Sequence, residues 1–169
     1  LTGDVPGTEH FNFKAEFDRP HRSDKAKHYT ACPVKYYANA QELFFEMEDI
    51  RTELNRLYGG NGKEVRLITL SGYRGAAYNK ACGGAKASKH LTGEGLDFYA
   101  VRVDTSTDAR EIRVPNCYQI GQVMEKIGKG GTGYGSNNNV HRDIRARRAR
   151  WWYGYKTWAM WKINQGRGA

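Results

Sequence analysis

The sequence predicts an α+β fold, built as a single domain around a small antiparallel sheet. One segment carries apolar residues at helical spacing, and two later segments alternate apolar and polar residues as strands do. The chain has 169 residues, enough to bury one hydrophobic core. Because no repeat or linker divides it, we assign residues 1–169 to one domain, with residues 1–38 as an irregular segment packed on it.

The N-terminal segment is polar but carries regularly spaced aromatic residues. Phe11, Phe13 and Phe17 lie in HFNFKAEFD. This alternation predicts a short extended stretch that packs its rings on the domain. Three histidines fall in the same polar sequence and are interpreted as solvated: His10, His21 and His28.

The clearest helix is predicted over NAQELFFEMEDIRTELNRLYGG. Asn39 is the predicted N-cap, and Glu42 follows three residues later, as a capping box requires. Gly59 and Gly60 are expected to end the helix. Apolar residues at three- and four-residue steps predict its buried stripe: Leu43, Met47, Ile50, Leu54 and Leu57.

Strands and a second helix are predicted after it. EVRLITLSGYR and LDFYAVRV alternate in the way that buried strands do. Asn116 is the predicted N-cap of a second helix, which ends at a glycine. NNVHRDI and RRARWWYGY then predict two short strands joined by a turn.

Composition and charge favour some classes of protein over others. No apolar run approaches the roughly 20 residues of a membrane-spanning helix, and no secretory signal is visible at the start. Three widely spaced cysteines without a CxxC motif argue against a disulfide framework and against a cysteine-built zinc site. A net charge of +9 favours an anionic partner such as nucleic acid, a membrane surface or an acidic wall polymer.

Two candidate metal ligands lie in SKHLTGEGLDF. His90 precedes a predicted strand and Asp97 lies near its start. Gly93 and Gly95 allow the connection between them to turn back tightly, so that both side chains can reach one ion. Zinc takes histidine nitrogen and aspartate oxygen, and a catalytic zinc keeps one position for water.

A third ligand must come from elsewhere in the chain. His141 is the best placed of the other histidines, because NVHRDI reads as a strand. Alternation along that strand puts His141 and Asp143 on the same face. An ordinary hydrogen-bonded histidine–aspartate pair without metal remains the alternative interpretation of this spacing.

The stretch SGYRGAAYNKACGGAKASKHLTGEGLDF resembles the signature of the zinc D-Ala-D-Ala carboxypeptidase family of peptidoglycan peptidases. The family pattern is SGYR, then an asparagine and a GG, then SxHxxGxAxD. GGTGYGSNNNVHRDIRARRARW is similar to the second family block, and HFNFKAEF resembles the start of the phage-borne and cell-wall-associated branch. The resemblance covers about residues 9 to 152.

This resemblance implies a hedgehog-like fold of the DD-peptidase type, with a zinc ion in a cleft over an antiparallel sheet. It implies that His90, Asp97 and His141 hold Zn²⁺. Arg74 falls where the family has an arginine that binds and polarises the substrate carbonyl. Ser88 matches the motif serine, which supports the loop and is counted with the substrate-binding residues.

The sequence departs from the family pattern at three positions. Gly95 replaces the usual alanine, and Gly135 replaces the second aromatic residue of a GxGYY turn. Several members place a general base three residues before the last histidine, where this chain has Asn138. Asp143 is the acid nearest His141 in sequence. We therefore predict that Asp143 is the base, or orients the water on the zinc.

The predicted function is zinc-dependent hydrolysis of a stem-peptide or cross-link amide bond of bacterial peptidoglycan. The enzyme would be a carboxypeptidase or an endopeptidase, with a phage endolysin as one setting. Tyr73, Tyr134 and Trp151 are predicted to line the substrate groove, with plain core packing as the alternative. Such an enzyme acts on the cell wall, whether it is secreted, periplasmic or delivered by a phage.

Two further hypotheses come from other classes of protein. Asn138, in place of an acid, is consistent with a non-catalytic zinc-containing binding or structural module of the same fold. RDIRARRARWW interleaves arginine and aromatic residues as nucleic-acid binders do, but its RxRW ending belongs to the peptidase block, which disfavours nucleic acid. The basic, aromatic tail, residues 153–169, is predicted to pack back on the domain or to dock on a phage virion assembly.

Overall fold

The computed structural model describes residues 5–135 and 137–153. Its helices are α1 (Tyr37–Tyr58), α2 (Ala76–Ala81) and α3 (Cys117–Ile127). Its strands are β1 (Lys63–Ser71), β2 (Gly95–Asp104), β3 (Arg110–Ile112), β4 (Gly131–Gly135), β5 (Val140–Asp143) and β6 (Ala149–Tyr153). This mixture confirms the predicted α+β class. The predicted tail lies outside the described residues except for Tyr153, and so do its apolar residues Trp158, Met160 and Trp161.

The described residues form two compact units. The first is drawn from Leu1–Asp49 and Thr69–Asp97, and the second from Ile50–Ile68 and Phe98–Ala169. No helix in the described ranges has the length and apolar character that crossing a bilayer requires. Within these ranges Cys32, Cys82 and Cys117 are free thiols.

Aromatic side chains hold the N-terminal segment against α1 in the first unit. Phe11 stacks on Phe44 with 5.9 Å between ring centroids, and Phe17 meets the same ring edge-on at 5.4 Å. All three rings are buried. The backbone differs from the predicted extended stretch, because Phe13–Phe17 is a helical turn capped by the side chain of Asn12.

Helix α1 begins at Tyr37, two residues before the predicted cap. The prediction of a capping box at Asn39 is wrong, because a short helical turn over Val34–Tyr36 leads directly into α1. The Asn39 amide donates instead to the carbonyl oxygen of Thr92 at 2.8 Å. The predicted stripe is confirmed except at Leu57 in the last turn, which is 40% exposed; its fully buried members are Leu43, Met47, Ile50 and Leu54.

Most of the sheet belongs to the second unit. Among the described strands the order is β1-β2-β5-β4-β6, and β3 pairs with β2. The predicted antiparallel pairing holds between β4 and β5 and between β2 and β3. It fails between β4 and β6, which are parallel. The two strands predicted to be joined by a turn, β5 and β6, are not neighbours because β4 lies between them.

Alternation along β4 gives this part of the sheet two different faces. A Cβ atom on Gly131 would lie 2.4 Å from Oδ2 of Asp143, and one on Gly133 would lie 2.9 Å from the Trp151 ring. These glycines therefore leave the space that larger side chains of β5 and β6 occupy. Tyr134 lies on the opposite face, against α3.

Helix α3 has the predicted cap and end. Asn116 accepts the backbone N–H of Gln119 at 3.0 Å, and the Gln119 side chain accepts the N–H of Asn116 at 2.8 Å. Gly128 ends the helix with φ of 144°, which favours glycine. The sequence pattern places Ile120, Val123, Met124 and Ile127 on the inward face; the first three are buried, whereas Ile127 in the last turn is half-buried.

Candidate metal centre

His90 lies in a single helical turn, Lys89–Thr92, that Ser88 caps by accepting the N–H of His90 at 3.4 Å. The side chain is buried, and its Nδ1 lies 2.6 Å from the carbonyl oxygen of Gly72. A carbonyl can only accept, so Nδ1 carries the proton and Nε2 presents its lone pair. Nε2 lies 3.3 Å from Oδ2 of Asp97.

Nε2 of His90 and Oδ2 of Asp97 both carry lone pairs, so a cation is needed beside them. A neutral imidazole nitrogen and a carboxylate oxygen both accept hydrogen bonds, so their approach is unfavourable without positive charge. Arg74 supplies one such charge, because its Nη2 pairs with Oδ2 of Asp97. The backbone N–H of Arg74 also donates to the carbonyl oxygen of His90 at 3.0 Å. A metal ion at Nε2 would supply the second positive charge.

His141 and Asp143 lie together on one face of β5, as predicted. Nε2 of His141 is 3.3 Å from Oδ2 of Asp143. A neutral imidazole that donates through Nε2 carries its lone pair on Nδ1, and Nδ1 is then the nitrogen that could bind a metal ion. Ligand histidines commonly donate their other ring N–H to a carboxylate, which fixes their orientation. The local geometry of His141 therefore suits a metal ligand.

Asp143 is fully buried and receives hydrogen bonds from three residues, His141, Arg145 and Gly131. Arg145 donates to its two oxygens at 2.7 Å and 2.5 Å, and the N–H of Gly131 donates at 3.1 Å. Burial alone would raise the pKa of Asp143. Hydrogen bonds from His141 and Arg145 outweigh burial and hold this pKa far below its ordinary value. Asp143 is therefore a permanent anion at neutral pH.

The three predicted metal ligands come together in the structure. His90, Asp97 and His141 each offer one ligand atom, and these atoms all lie within 4.8 Å of one another. Two imidazole nitrogens and one carboxylate oxygen form a donor set that catalytic zinc takes, with a fourth position for water or substrate. This group can therefore hold a metal ion.

The predicted groove residues divide into two groups. Tyr73 and Tyr134 are each 6% exposed and lie in the core, in agreement with the alternative interpretation of these aromatics. Trp151 is half-buried, and its ring centroid lies 5.1 Å from that of His141. The guanidinium of Arg145 lies 5.1 Å from the Trp151 ring centroid. Of the predicted aromatics, Trp151 thus lies beside a candidate ligand.

Sequence reasoning missed two polar residues near these groups. Arg145 donates hydrogen bonds to Asp143. Its position two residues after that aspartate is the sequence feature that could have indicated this contact. His21 is not solvated as predicted but half-buried, with Nδ1 3.0 Å from Oγ of Ser71 and 3.0 Å from Oη of Tyr78. No local pattern indicates these contacts, because the partners lie 50 and 57 residues further along the chain.

The environment of His21 predicts a loss of stability in acid. Burial, and then the charge of Arg74, lowers the pKa of His21 from 6.5 to about 4. Between these pH values the unfolded chain binds a proton that the folded chain does not, so stability falls as pH drops. We expect the free energy of unfolding to decline more from pH 6.5 to 4 in the zinc-free native protein than in His21→Asn. Urea unfolding at several pH values measures this, and equal declines would contradict it.

Comparison with known proteins identifies the family. The sequence model of the family described as Peptidase M15 matches residues 30–142, which are 113 of the 169 residues. The chain therefore belongs to this family, the zinc D-Ala-D-Ala carboxypeptidase family that its motifs predict. No curated protein matches the chain.

Family membership and the ligand group together define the class of protein. Peptidases of this family depend on zinc, and His90, Asp97 and His141 lie within the matched residues. Their donor atoms suit zinc. The protein is therefore a zinc metallopeptidase at the level of its family, and the family suggests peptidoglycan as the substrate.

Proposed function

We propose that this protein hydrolyses an amide bond in the stem peptide or cross-link of bacterial peptidoglycan. The observation that carries the proposal is the convergence of His90, Asp97 and His141 in a chain of the Peptidase M15 family. The resemblance of HFNFKAEF to the phage-borne and cell-wall-associated branch supports a role in cell-wall degradation by a phage or its host.

The three ligands would hold zinc through specified atoms. His90 would bind through Nε2, because Gly72 fixes the proton on Nδ1, and His141 would bind through Nδ1. When bound, zinc supplies a Lewis acid that lowers the pKa of water and polarises the scissile carbonyl. Trp151 packs beside the His141 ring, with 5.1 Å between ring centroids, and would help to keep the imidazole in place.

Arg74 is proposed to bind the substrate carbonyl while it neutralises Asp97. Its Nε donates to Oγ of Ser71 at 2.8 Å, and its Nη2 pairs with Asp97. This leaves Nη1 as the nitrogen to donate to the oxygen on which negative charge develops. Removal of one such donor costs roughly 3–4 kcal/mol in transition-state stabilisation. Arginine stays charged at all working pH values, so this donor is permanent.

Asp143 is proposed to act by orientation. A buried carboxylate with a strongly lowered pKa accepts a proton poorly, whereas it fixes the proton on Nε2 of His141 well. The predicted roles of Asp143 were a general base or an orienter of the zinc-bound water, whereas its contact with Nε2 supports orientation of the His141 ring. Arg145 and the N–H of Gly131 keep the carboxylate in position.

Replacement of Asp143 with Asn should lower kcat by about two orders of magnitude and weaken zinc binding roughly 10- to 100-fold. The amide cannot compensate the charge of Arg145, nor can it favour the proton on Nε2 of His141 as a carboxylate does. Kinetics at saturating zinc and chelator competition measure the two effects. Asp108→Asn is the matched control, because Asp108 is an exposed carboxylate that also pairs with an arginine. Wild-type kcat in Asp143→Asn would contradict the assignment.

The proposed activity is tested on purified peptidoglycan. We expect new free amino groups or released D-Ala to accumulate, to stop accumulating with a chelator, and to resume when zinc is restored. A protein that binds zinc and peptidoglycan but releases no product under these conditions would instead be the non-catalytic module of the same fold.

The sequence of the basic segment after β5 suggests a nucleic-acid partner, but its ion pairs weaken that interpretation. Arg150 and Arg148 both pair with Glu125, which neutralises part of their charge. Arg147 is exposed and adds to the positive surface. We propose that this surface helps to retain the enzyme on anionic wall polymers, by attraction that weakens as salt concentration rises.

A further inference from the structure

A path of side-chain contacts in the first unit ends on a candidate zinc ligand. Nη2 of Arg74 pairs with Oδ2 of Asp97, and Nε of Arg74 donates to Oγ of Ser71 at 2.8 Å. The same Oγ lies 3.0 Å from Nδ1 of His21. The path therefore connects a histidine of the N-terminal segment to Asp97 through two intermediate side chains.

The contact between Arg74 and Ser71 has a fixed direction. An arginine Nε can only donate, so the Ser71 oxygen accepts from Arg74 and offers its own single proton elsewhere. Nδ1 of His21 lies 3.0 Å from that oxygen, and it accepts the Ser71 proton in the neutral tautomer that is protonated on Nε2. The lowered pKa of His21 keeps the ring neutral at pH 7. His21 thus fixes the orientation of the Ser71 hydroxyl.

The ring of His21 is itself held in place. Tyr78 is fully buried, and its ring meets the His21 ring edge-on with 5.3 Å between centroids. Oη of Tyr78 lies 3.0 Å from Nδ1 of His21 and accepts the backbone N–H of Arg22 at 2.8 Å. A rigid, buried tyrosine therefore anchors the outer end of the path.

We propose that His21 is a positioning residue of the catalytic site: through Ser71 it fixes the guanidinium plane of Arg74, which serves both Asp97 and the substrate carbonyl. A guanidinium held only by Asp97 could rotate about that contact, and the bond from Nε to Ser71 prevents this rotation. Hydrogen-bonded groups behind the ligands of a metal site influence both metal affinity and rate. This inference rests on the proposed function.

The test compares two replacements of His21. His21→Ala removes the acceptor, whereas His21→Asn places an amide oxygen close to the position of Nδ1. We expect His21→Ala to lower kcat about tenfold and to shift zinc affinity severalfold, and His21→Asn to restore most of both. Chelator competition gives zinc affinity without reference to activity. His10→Ala is the control, because His10 is exposed and pairs with Glu48.

Ser71→Ala tests the same path at its middle. Because both residues act through one contact to Arg74, the double variant His21→Ala/Ser71→Ala should be no worse than the worse single variant. Additive losses in kcat and zinc affinity would overturn the proposal. So would a His21→Ala variant that loses thermal stability but keeps wild-type kcat and zinc affinity, since His21 would then serve only the fold.

Hydrolysis of peptidoglycan and the positioning role of His21 are tested by different measurements. If the native protein binds zinc but cleaves no peptidoglycan, the proposed function fails. Zinc affinity still decides the role of His21: a severalfold shift in His21→Ala that His21→Asn restores supports the path, and an unchanged affinity overturns it.

Discussion

Replacement of His141 with Ala should remove bound zinc and abolish hydrolysis of peptidoglycan together. His141 supplies one of the three ligand atoms that lie within 4.8 Å of one another. The two remaining ligands would hold zinc far more weakly, because structural and catalytic zinc sites use at least three protein ligands. His90→Ala should behave in the same way, since it removes the other imidazole.

Metal analysis of the purified variants measures this prediction, together with kinetics on peptidoglycan. Native protein should carry one zinc per chain and each variant close to none. His10→Ala should keep both zinc and activity, because His10 is exposed and bonded to Glu48. A His141→Ala variant that retained stoichiometric zinc and activity would show that the reactive metal lies elsewhere.

Replacement of Gly131 with Ala should damage the site without changing any charged or ligand residue. The added Cβ would lie 2.4 Å from Oδ2 of Asp143, a distance that real Cβ atoms do not adopt. Asp143 cannot yield easily, since it is buried and held by Arg145. We expect a loss of roughly 1–3 kcal/mol in the free energy of unfolding, as overpacking of a core causes, and a fall in kcat of at least about tenfold as His141 loses its orientation.

Urea unfolding and kinetics at saturating zinc measure the two effects of Gly131→Ala. The matched control is Gly7→Ala, whose Cβ would make only an ordinary contact at 3.5 Å. If Gly131→Ala had native stability and native kcat, the close fit of β4 against Asp143 would be wrong.

The parts of the fold that depend on neighbouring residues were predictable from the sequence. The capping box of α3 depends on Asn116 and Gln119, three residues apart, and the structure has it. The predicted cap of α1 at Asn39 follows the same local rule and is wrong. The sequence before it continues as the turn Val34–Tyr36, and Asn39 finds a partner at Thr92, 53 residues away.

Strand pairing also depends on distant residues, so local sequence patterns do not predict it. The residues of β5 and β6 alternate in a way that predicts strands, and both strands exist. Their pairing with β4 on opposite sides, one antiparallel and one parallel, depends on contacts that a period of two does not encode. Alternation does predict which residues share a face, and His141 and Asp143 share one.

Some residues of the candidate site could be predicted from the sequence, and others could not. His90 and Asp97 could be predicted because they lie seven residues apart around two glycines. His141 required the strand pattern and the family resemblance. His21 could not be predicted from spacing, since its place near Arg74 arises only when a segment from the start of the chain packs beside the SGYR motif.

The most direct test of the central claim is an anomalous difference map recorded at the zinc edge from crystals of the native protein. We predict one strong peak about 2.0–2.2 Å from Nε2 of His90, a carboxylate oxygen of Asp97 and Nδ1 of His141. A strong peak bound by other residues, or no peak in crystals grown with zinc, would contradict the account.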